Sequence, residues 1–334
     1  MNETVSVSYN STGCHISHAG RNGFRVVSSF ERRVTIDRPN VGGLLLFVSQ
    51  KATSNLFALA TDDTCLIFDD SRRRTIGKLG PFDSKVVGVR WADDAVAVQL
   101  VDRVLVYDVV DLRLVLSETC PSDEGASAAR LTAASANGVT RVSFPGQARG
   151  TVVVVENPCG TSEQASATPM HSRTVIKAHK HQIAGVCLSP DGLKLATASE
   201  KGTVLRIHDV TTIGSCPSVF ELRRSSTKAR IHAMAFSFDS PSTLFACVSD
   251  TGTLHVFELT KSSPASVPTF LQRSTWRYEL PGKDPCAISF HARSARPLLT
   301  AASHAGTWQV ALLLRDDGGM TCLERFPEDA SRVS

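Results

Sequence analysis

The sequence predicts an all-β fold, a seven-bladed β-propeller, on three observations. A short alternating, β-branched segment recurs along all 334 residues. Its copies start roughly 40–55 residues apart, the period of a propeller blade. Helical periodicity is nearly absent. A four-stranded blade cannot bury both faces alone, so neighbouring units must stack and close a ring.

The recurring segments are GFRVVSS from Gly23, TCLIFDD from Thr64, RVLVYDV from Arg103, TVVVVEN from Thr151, TVLRIHD from Thr203, TLHVFEL from Thr253 and TWQVALL from Thr307. Three are entered through a glycine turn: SEKGT at 199–203, SDTGT at 249–253 and SHAGT at 303–307. Glycine at that place supplies the positive φ of a tight hairpin. CLSPDGLKLATAS, from Cys187 to Ser199, holds an SPDG turn between two strand-like runs, which is again a hairpin. Seven units are expected to begin near Val5, Gly42, Ser84, Ala126, Thr174, Glu221 and Trp276. The expected ring closes by pairing N- and C-terminal segments. Two stacked β-sandwiches would not give so regular a period.

One propeller is expected over residues 1–326, followed by a polar tail at 327–334. Two stretches break the repeat. Gly160–His171 is small and polar, and Thr260–Arg273 is longer than a hairpin needs and carries two prolines.

At 42% hydrophobic and 20% charged residues the chain is ordinary globular stock, and global disorder is excluded. A formal charge of +4 permits an anionic partner but is too mild for a dedicated nucleic-acid binder. Apolar runs such as Gly43–Val48 and Val310–Leu314 are too short to span a bilayer. No basic stretch followed by an apolar one opens the sequence, so no signal peptide is expected. Nine scattered cysteines, without a C-x-x-C, argue against a zinc site or a disulfide framework and for a reducing, cytoplasmic compartment. The sequons at Asn2 and Asn10 are then chance matches.

Phosphate-loop, metalloprotease, nucleophile-elbow and dinucleotide-binding signatures are absent from the sequence, so no enzyme and no cofactor are expected. His179 and His181 share one face of an extended segment, but no further ligands follow at metal spacing. The chemistry concentrates instead in AHKHQIAGVCLSPDGLKLATASEKGTVLRIHDV (178–210), FELRRSSTKARIHAMAFSFDS (220–240) and LFACVSDTGTLHVFEL (244–259). Hydroxyls, histidines and arginines recur there at equivalent places, a kit suited to a phosphorylated headgroup. Arginine gives permanently charged, bidentate donors, while Ser, Thr and His orient single oxygens. Arg223 and Arg224, adjacent in an extended segment, point to opposite sides and can serve two pockets.

These segments resemble the PROPPIN family (the WIPI group in animals), WD40-like propellers that bind polyphosphoinositides in autophagy. NGFRVVSS is similar to the family's first-blade strand, and SNLFALA with CLIFDDSRRRTIGKL to its second. VVGVRWADDAVAVQLVDRVLVYDV, SETCPSDEG and SFPGQARGTVVVVE match its third and fourth blades. The most specific likeness is TASEKGTVLRIHD followed by the paired arginines of FELRRSST, close to the family's F/L-R-R-G signature.

The resemblance implies two headgroup pockets. The first would use His179, Thr197, Ser199, Lys201, Thr203, Arg206 and Arg223, and the second Arg224, Ser249, Thr253 and His255. Ser225 stands at the signature glycine, where a positive φ would suit Ser poorly. Val248 and Thr251 replace a Ser and a Lys, which would deplete the second pocket and leave the first the stronger. The 260–273 insert would contact membrane through Val267, Phe270 and Leu271. The implied protein is a monomeric, non-enzymatic effector of phosphatidylinositol 3-phosphate or 3,5-bisphosphate. It would sit peripherally on phagophore (preautophagosomal) and endosomal membranes and recruit the large autophagy lipid-transfer protein. The rival expectation is a protein–protein scaffold with weak or no lipid binding.

Overall fold

The computed structural model of the chain describes residues 4–31, 33–41, 43–122, 130–159, 172–211, 218–259, 271–280, 286–292, 298–303 and 306–311. Blade one comprises β1 (Thr4–Tyr9), β2 (His15–Gly20), β3 (Phe24–Ser28) and β4 (Val34–Arg38). Blade two comprises β5 (Phe47–Gln50), β6 (Leu56–Ala60), β7 (Cys65–Asp69) and β8 (Arg74–Leu79). Blade three comprises β9 (Val86–Trp91), β10 (Ala95–Leu100), β11 (Arg103–Asp108) and β12 (Leu114–Thr119). Blade four comprises β13 (Thr132–Ala136), β14 (Val139–Pro145), β15 (Thr151–Glu156) and β16 (Ser172–Lys177). Blade five comprises β17 (Ile183–Leu188), β18 (Lys194–Ser199), β19 (Val204–Asp209) and β20 (Ser218–Arg223), with β24 (Leu271–Arg273) added at its edge. Blade six comprises β21 (Ile231–Phe236), β22 (Leu244–Ser249), β23 (Thr253–Glu258) and β25 (Trp276–Glu279). A last sheet holds β26 (Cys286–Phe290), β27 (Leu298–Ser303) and β28 (Gly306–Ala311).

The expected seven-bladed count is therefore corrected to six blades among the described residues. Six blades have their four strands, and the last sheet has three among the described residues. The repeat also misplaces the later boundaries. Thr174, Glu221 and Trp276 do not open units; they lie on β16, β20 and β25, the outer strands of blades four, five and six. Alternation marks a strand but not its rank within a blade, so a count started one strand early assigns the last unit a strand that blade six already owns.

Ring closure departs from expectation too. β1 pairs with β2 inside blade one, and among the described residues the last sheet contains no N-terminal strand. The two ends meet instead through Ile16 packed with Ala302, and through the Ala292 N–H donating to the Thr12 carbonyl at 3.3 Å.

Side chains alternate so that each strand feeds the interfaces on both sides. In β22, Phe245 and Cys247 face blade five, while Ala246 and Val248 pack with Leu254 and Val256 against the last sheet. Blades five and six share Ala198, Leu205, Leu222, Ile231 and Phe257, all at 0% exposure. Burial of one such Leu or Phe contributes about 1.5–3 kcal/mol.

Hairpin glycines lock blades four and five to the connections that follow them. Gly150 adopts φ +73°, and a Cβ there would lie 1.8 Å from the His179 carbonyl oxygen. Its own carbonyl accepts from the Ala178 and His179 N–H groups at 2.9 and 3.0 Å. Gly202, at φ +58°, meets the Ala229 carbonyl at 1.9 Å in the same way. Gly150→Ala should therefore lower the unfolding free energy by about 1–3 kcal/mol, the scale of a strained backbone residue. Urea denaturation reads this directly, and an unchanged midpoint would contradict the lock.

Candidate functional site

Blade five presents two chemically different faces. On β19, Leu205 and Ile207 enter the core shared with blade six, so Arg206 and His208 face blade four. They border an open cleft of about 470 Å³ against β16, lined among others by Thr174, Lys177, His179 and Lys180.

Three of the residues expected in the first pocket meet directly: His179 and Arg206 line this cleft, and Thr197 is buried beside them. His179 Nε2 lies 3.0 Å from Thr197 Oγ1. Arg206 donates from Nη1 to the Ala178 carbonyl at 2.7 Å and from Nε to Glu221 Oε1 at 2.7 Å, and its Nη1 is 3.4 Å from His179 Nδ1. Burial and the Arg206 charge lower the His179 pKa from the ordinary 6.5 to about 4, so the ring is neutral at pH 7. Ser199 is buried on β18, two positions along the strand from Thr197. Lys201 is exposed in the hairpin, and the Thr203 carbonyl receives the Arg224 N–H at 3.0 Å. Arg223 ends β20, exposed and opposite Val204.

Arg224 points to the other side, as alternation predicts. Its guanidinium is 2% exposed. Nε donates to the Gly202 carbonyl at 2.7 Å, Nη2 to the Thr227 carbonyl at 2.6 Å and Nη1 to Ser249 Oγ at 3.3 Å. All three acceptors are neutral, and burial lowers its pKa. His255 lies on β23 with its ring stacked on Phe257 and Nδ1 at 3.3 Å from Ser274 Oγ. Burial, then Arg224 and Arg277, lower its pKa to about 4. Thr253 opens the same strand opposite Glu279.

The sequence reading of the three substituted positions changes in the structure. Val248 is packed against the last sheet, on the face of β22 away from Ser249 and Arg224, so a hydroxyl there would not reach the arginine. Thr251 keeps a polar role, its Oγ1 lying 2.9 Å from Ser249 Oγ. Ser225 is not among the residues with positive φ, and its Oγ accepts from the Thr227 N–H at 3.1 Å, so the turn after the arginines does not require glycine. His179 and His181 do not converge: His181 turns outward, with Nδ1 at 3.2 Å from Arg149 Nη2. Among the described residues no group of three or more His, Cys, Asp or Glu is placed to hold a metal.

Lys177, Lys180 and His208 join the cleft although the sequence reading passed over them. His208 was legible two positions after Arg206 and Lys180 directly after His179, whereas Lys177 ends β16 of blade four and only packing brings it to the cleft. Of the three expected membrane-contacting residues, Val267 and Phe270 lie outside the described residues. Leu271 pairs through its backbone in parallel with Glu221 of β20.

His179 and His255 are held neutral while an unfolded chain titrates them near 6.5. Between pH 6.5 and about 4 the unfolded state binds more protons, so their contribution to stability is lost as pH falls. Urea denaturation across that window should show this slope, and His179→Asn with His255→Asn should flatten it. An identical slope in the double variant would contradict the assignment.

Comparison with known proteins accounts for this arrangement. The PROPPIN family model matches residues 74–284. SVP1-like protein 2 of Neurospora crassa is 29% identical over 266 residues, covering 77% of this chain and 56% of the relative. Autophagy-related protein 18 of Phaeosphaeria nodorum is 27% identical over 271 residues, covering 76% and 62%. The chain thus spans less than two thirds of the length of these relatives. Among solved structures, Kluyveromyces lactis Hsv2 with complete loop 6CD superposes with a TM-score of 0.78 at 17% identity, covering 97% of this chain and 99% of that one. KlAtg21, solved in complex with the coiled-coil of AgAtg16, superposes at 0.74 with 21% identity and 97% and 98% coverage. The family match takes in the cleft, both arginines and the blade six hairpin, and the chain belongs to the PROPPIN family.

Proposed function

We propose that the protein is a non-enzymatic effector that binds phosphoinositide headgroups, phosphatidylinositol 3-phosphate or the 3,5-bisphosphate, and recruits autophagy machinery to the membranes that carry them. The observation that carries this reading is Arg224, a buried guanidinium whose acceptors are two carbonyls and a hydroxyl. Taking such a charge out of water costs several kcal/mol, and a phosphate beside it restores the balance. Arg223 serves the first pocket with His179, Thr197, Ser199, Lys201, Thr203 and Arg206. Arg224 serves the second with Ser249, Thr253 and His255. A neutral His255 suits this role because its ring can donate one proton to a phosphate oxygen, while His179, engaged by Arg206 at Nδ1 and Thr197 at Nε2, orients those two groups.

The 260–273 segment rests on the bilayer through Val267, Phe270 and Leu271, which add apolar contact without headgroup specificity. Residence is cytoplasmic, on phagophore and endosomal membranes. Two pockets on one lipid surface gain avidity that either alone lacks. The recruited partner is the autophagy lipid-transfer protein; that a related propeller was solved with a coiled-coil partner supports recruitment as a function of this fold.

Liposome sedimentation across a phosphoinositide panel tests the reading, with retention on 3-phosphorylated lipids expected and equal retention on all anionic vesicles overturning it. A charge-assisted hydrogen bond contributes about 1.5–3 kcal/mol. Arg223→Ala should thus weaken soluble headgroup binding roughly tenfold to a hundredfold with little change in melting temperature. Arg224→Ala should lower both affinity and melting temperature, since it also frees the Gly202 and Thr227 carbonyls. Intact binding in both variants would remove the site assignment.

A further inference from the structure

Strand β24 belongs in sequence to the segment leading into the outer strand of blade six, yet it pairs in parallel with β20 of blade five. The register sets Leu271 beside Glu221, Gln272 beside Leu222 and Arg273 beside Arg223. Neighbouring strands lie about 4.8 Å apart, and in-register residues of a parallel pair project to the same face. Leu222 enters the blade six core, and Gln272 likewise donates from Nε2 to the Glu258 carbonyl of blade six at 2.6 Å. Arg223 and Arg273 therefore share the opposite face, the one that also carries Arg206 and Glu221.

The charges on that face do not balance. Glu221, the carboxylate among these four residues, is taken by Arg206 at 2.7 Å. Arg223 and Arg273 are both exposed, and neither makes an ion pair among the described residues. Like charges directly opposite one another on neighbouring strands are destabilising. The register is nonetheless fixed on both sides of Arg273. Gln272 is held to Glu258, Ser274 Oγ lies 3.3 Å from His255 Nδ1, and the Thr275 N–H donates to the Val256 carbonyl at 2.8 Å. Two guanidiniums held side by side without a carboxylate make a complementary seat for a doubly charged phosphate.

We propose that Arg273 is a further phosphate-binding residue, which reaches the first pocket from the blade six side and grips one phosphomonoester together with Arg223. The inference rests on the headgroup-binding reading above and adds a residue to it.

The test uses the full chain with two probes: soluble inositol 1,3-bisphosphate, and vesicles containing phosphatidylinositol 3-phosphate. Arg273→Gln should weaken both roughly tenfold to a hundredfold with no loss of melting temperature, since it relieves the like-charge pair. Arg273→Lys should fall between, because it keeps the charge and loses the fork. Arg113→Gln, a surface charge removed from blade three, should leave both affinities unchanged. Since both guanidiniums hold one phosphate, Arg223→Gln with Arg273→Gln should lose less than the product of the single losses. Wild-type affinity of Arg273→Gln for the soluble probe overturns the clamp. A loss on vesicles alone also overturns it, by reducing Arg273 to a general membrane cation. Failure of the wild-type chain to bind either probe would instead bring down the headgroup reading itself, and the clamp with it.

Discussion

The blade five hairpin meets the connection to blade six at a point with no room for a side chain, and both arginine positions depend on that contact. Gly202 sits where a Cβ would collide with the Ala229 carbonyl, and its own carbonyl receives Arg224 Nε. The Ala229 N–H returns a hydrogen bond to the Lys201 carbonyl at 3.1 Å, so hairpin and connection are tied from both sides. The chain between them has to leave β20 and turn within a few residues, which places Arg223 on one face and Arg224 on the other. Gly150 makes the same lock one blade earlier and fixes His179, whose N–H it accepts. The candidate site is thus a by-product of how blades four, five and six are joined, with its side chains placed on the rigid sides of these two joints.

This origin explains why the two pockets differ in character. On the blade four side Arg206 is already neutralised by Glu221 and braced on the Ala178 carbonyl, so it orients His179 more than it offers charge. The free charge there belongs to Arg223, Lys201 and the cleft lysines. On the blade six side Arg224 is itself buried and braced, and Ser249 and Thr251 extend its polar surroundings as a chain of hydroxyls. One side is an exposed cationic cleft and the other a buried cation on a prepared scaffold. Electrostatic attraction at the first falls with ionic strength, whereas the second is shielded from it.

The repeat, the hairpin glycines and the opposed arginines were all legible in the sequence, because each follows from local geometry. Alternation sets which side a residue faces, and a positive φ favours glycine at a tight turn. Both arginines accordingly fall where alternation puts them. Rank within a blade was not legible, since inner and outer strands alternate alike, and so β16, β20 and β25 were taken as beginnings rather than ends. The substituted positions misled for a related reason. Val248 reads as a lost hydroxyl only until packing turns its side chain towards the last sheet, and Ser225 reads as strained only until its φ is known.

The sequence by itself determined the all-β class, the family and the residue types gathered in the candidate site, because these reside in periodicity and in short contiguous motifs. Tertiary structure decided what lies across gaps in the chain. It set Lys177 of blade four beside Arg206, turned His181 away from His179, and laid Arg273 in register with Arg223 some fifty residues upstream. Such contacts rest on the stacking of blades and on a strand that leaves its own blade for its neighbour. Neither leaves a periodic trace, since the free energy that selects them comes from surfaces that meet only once the ring has formed.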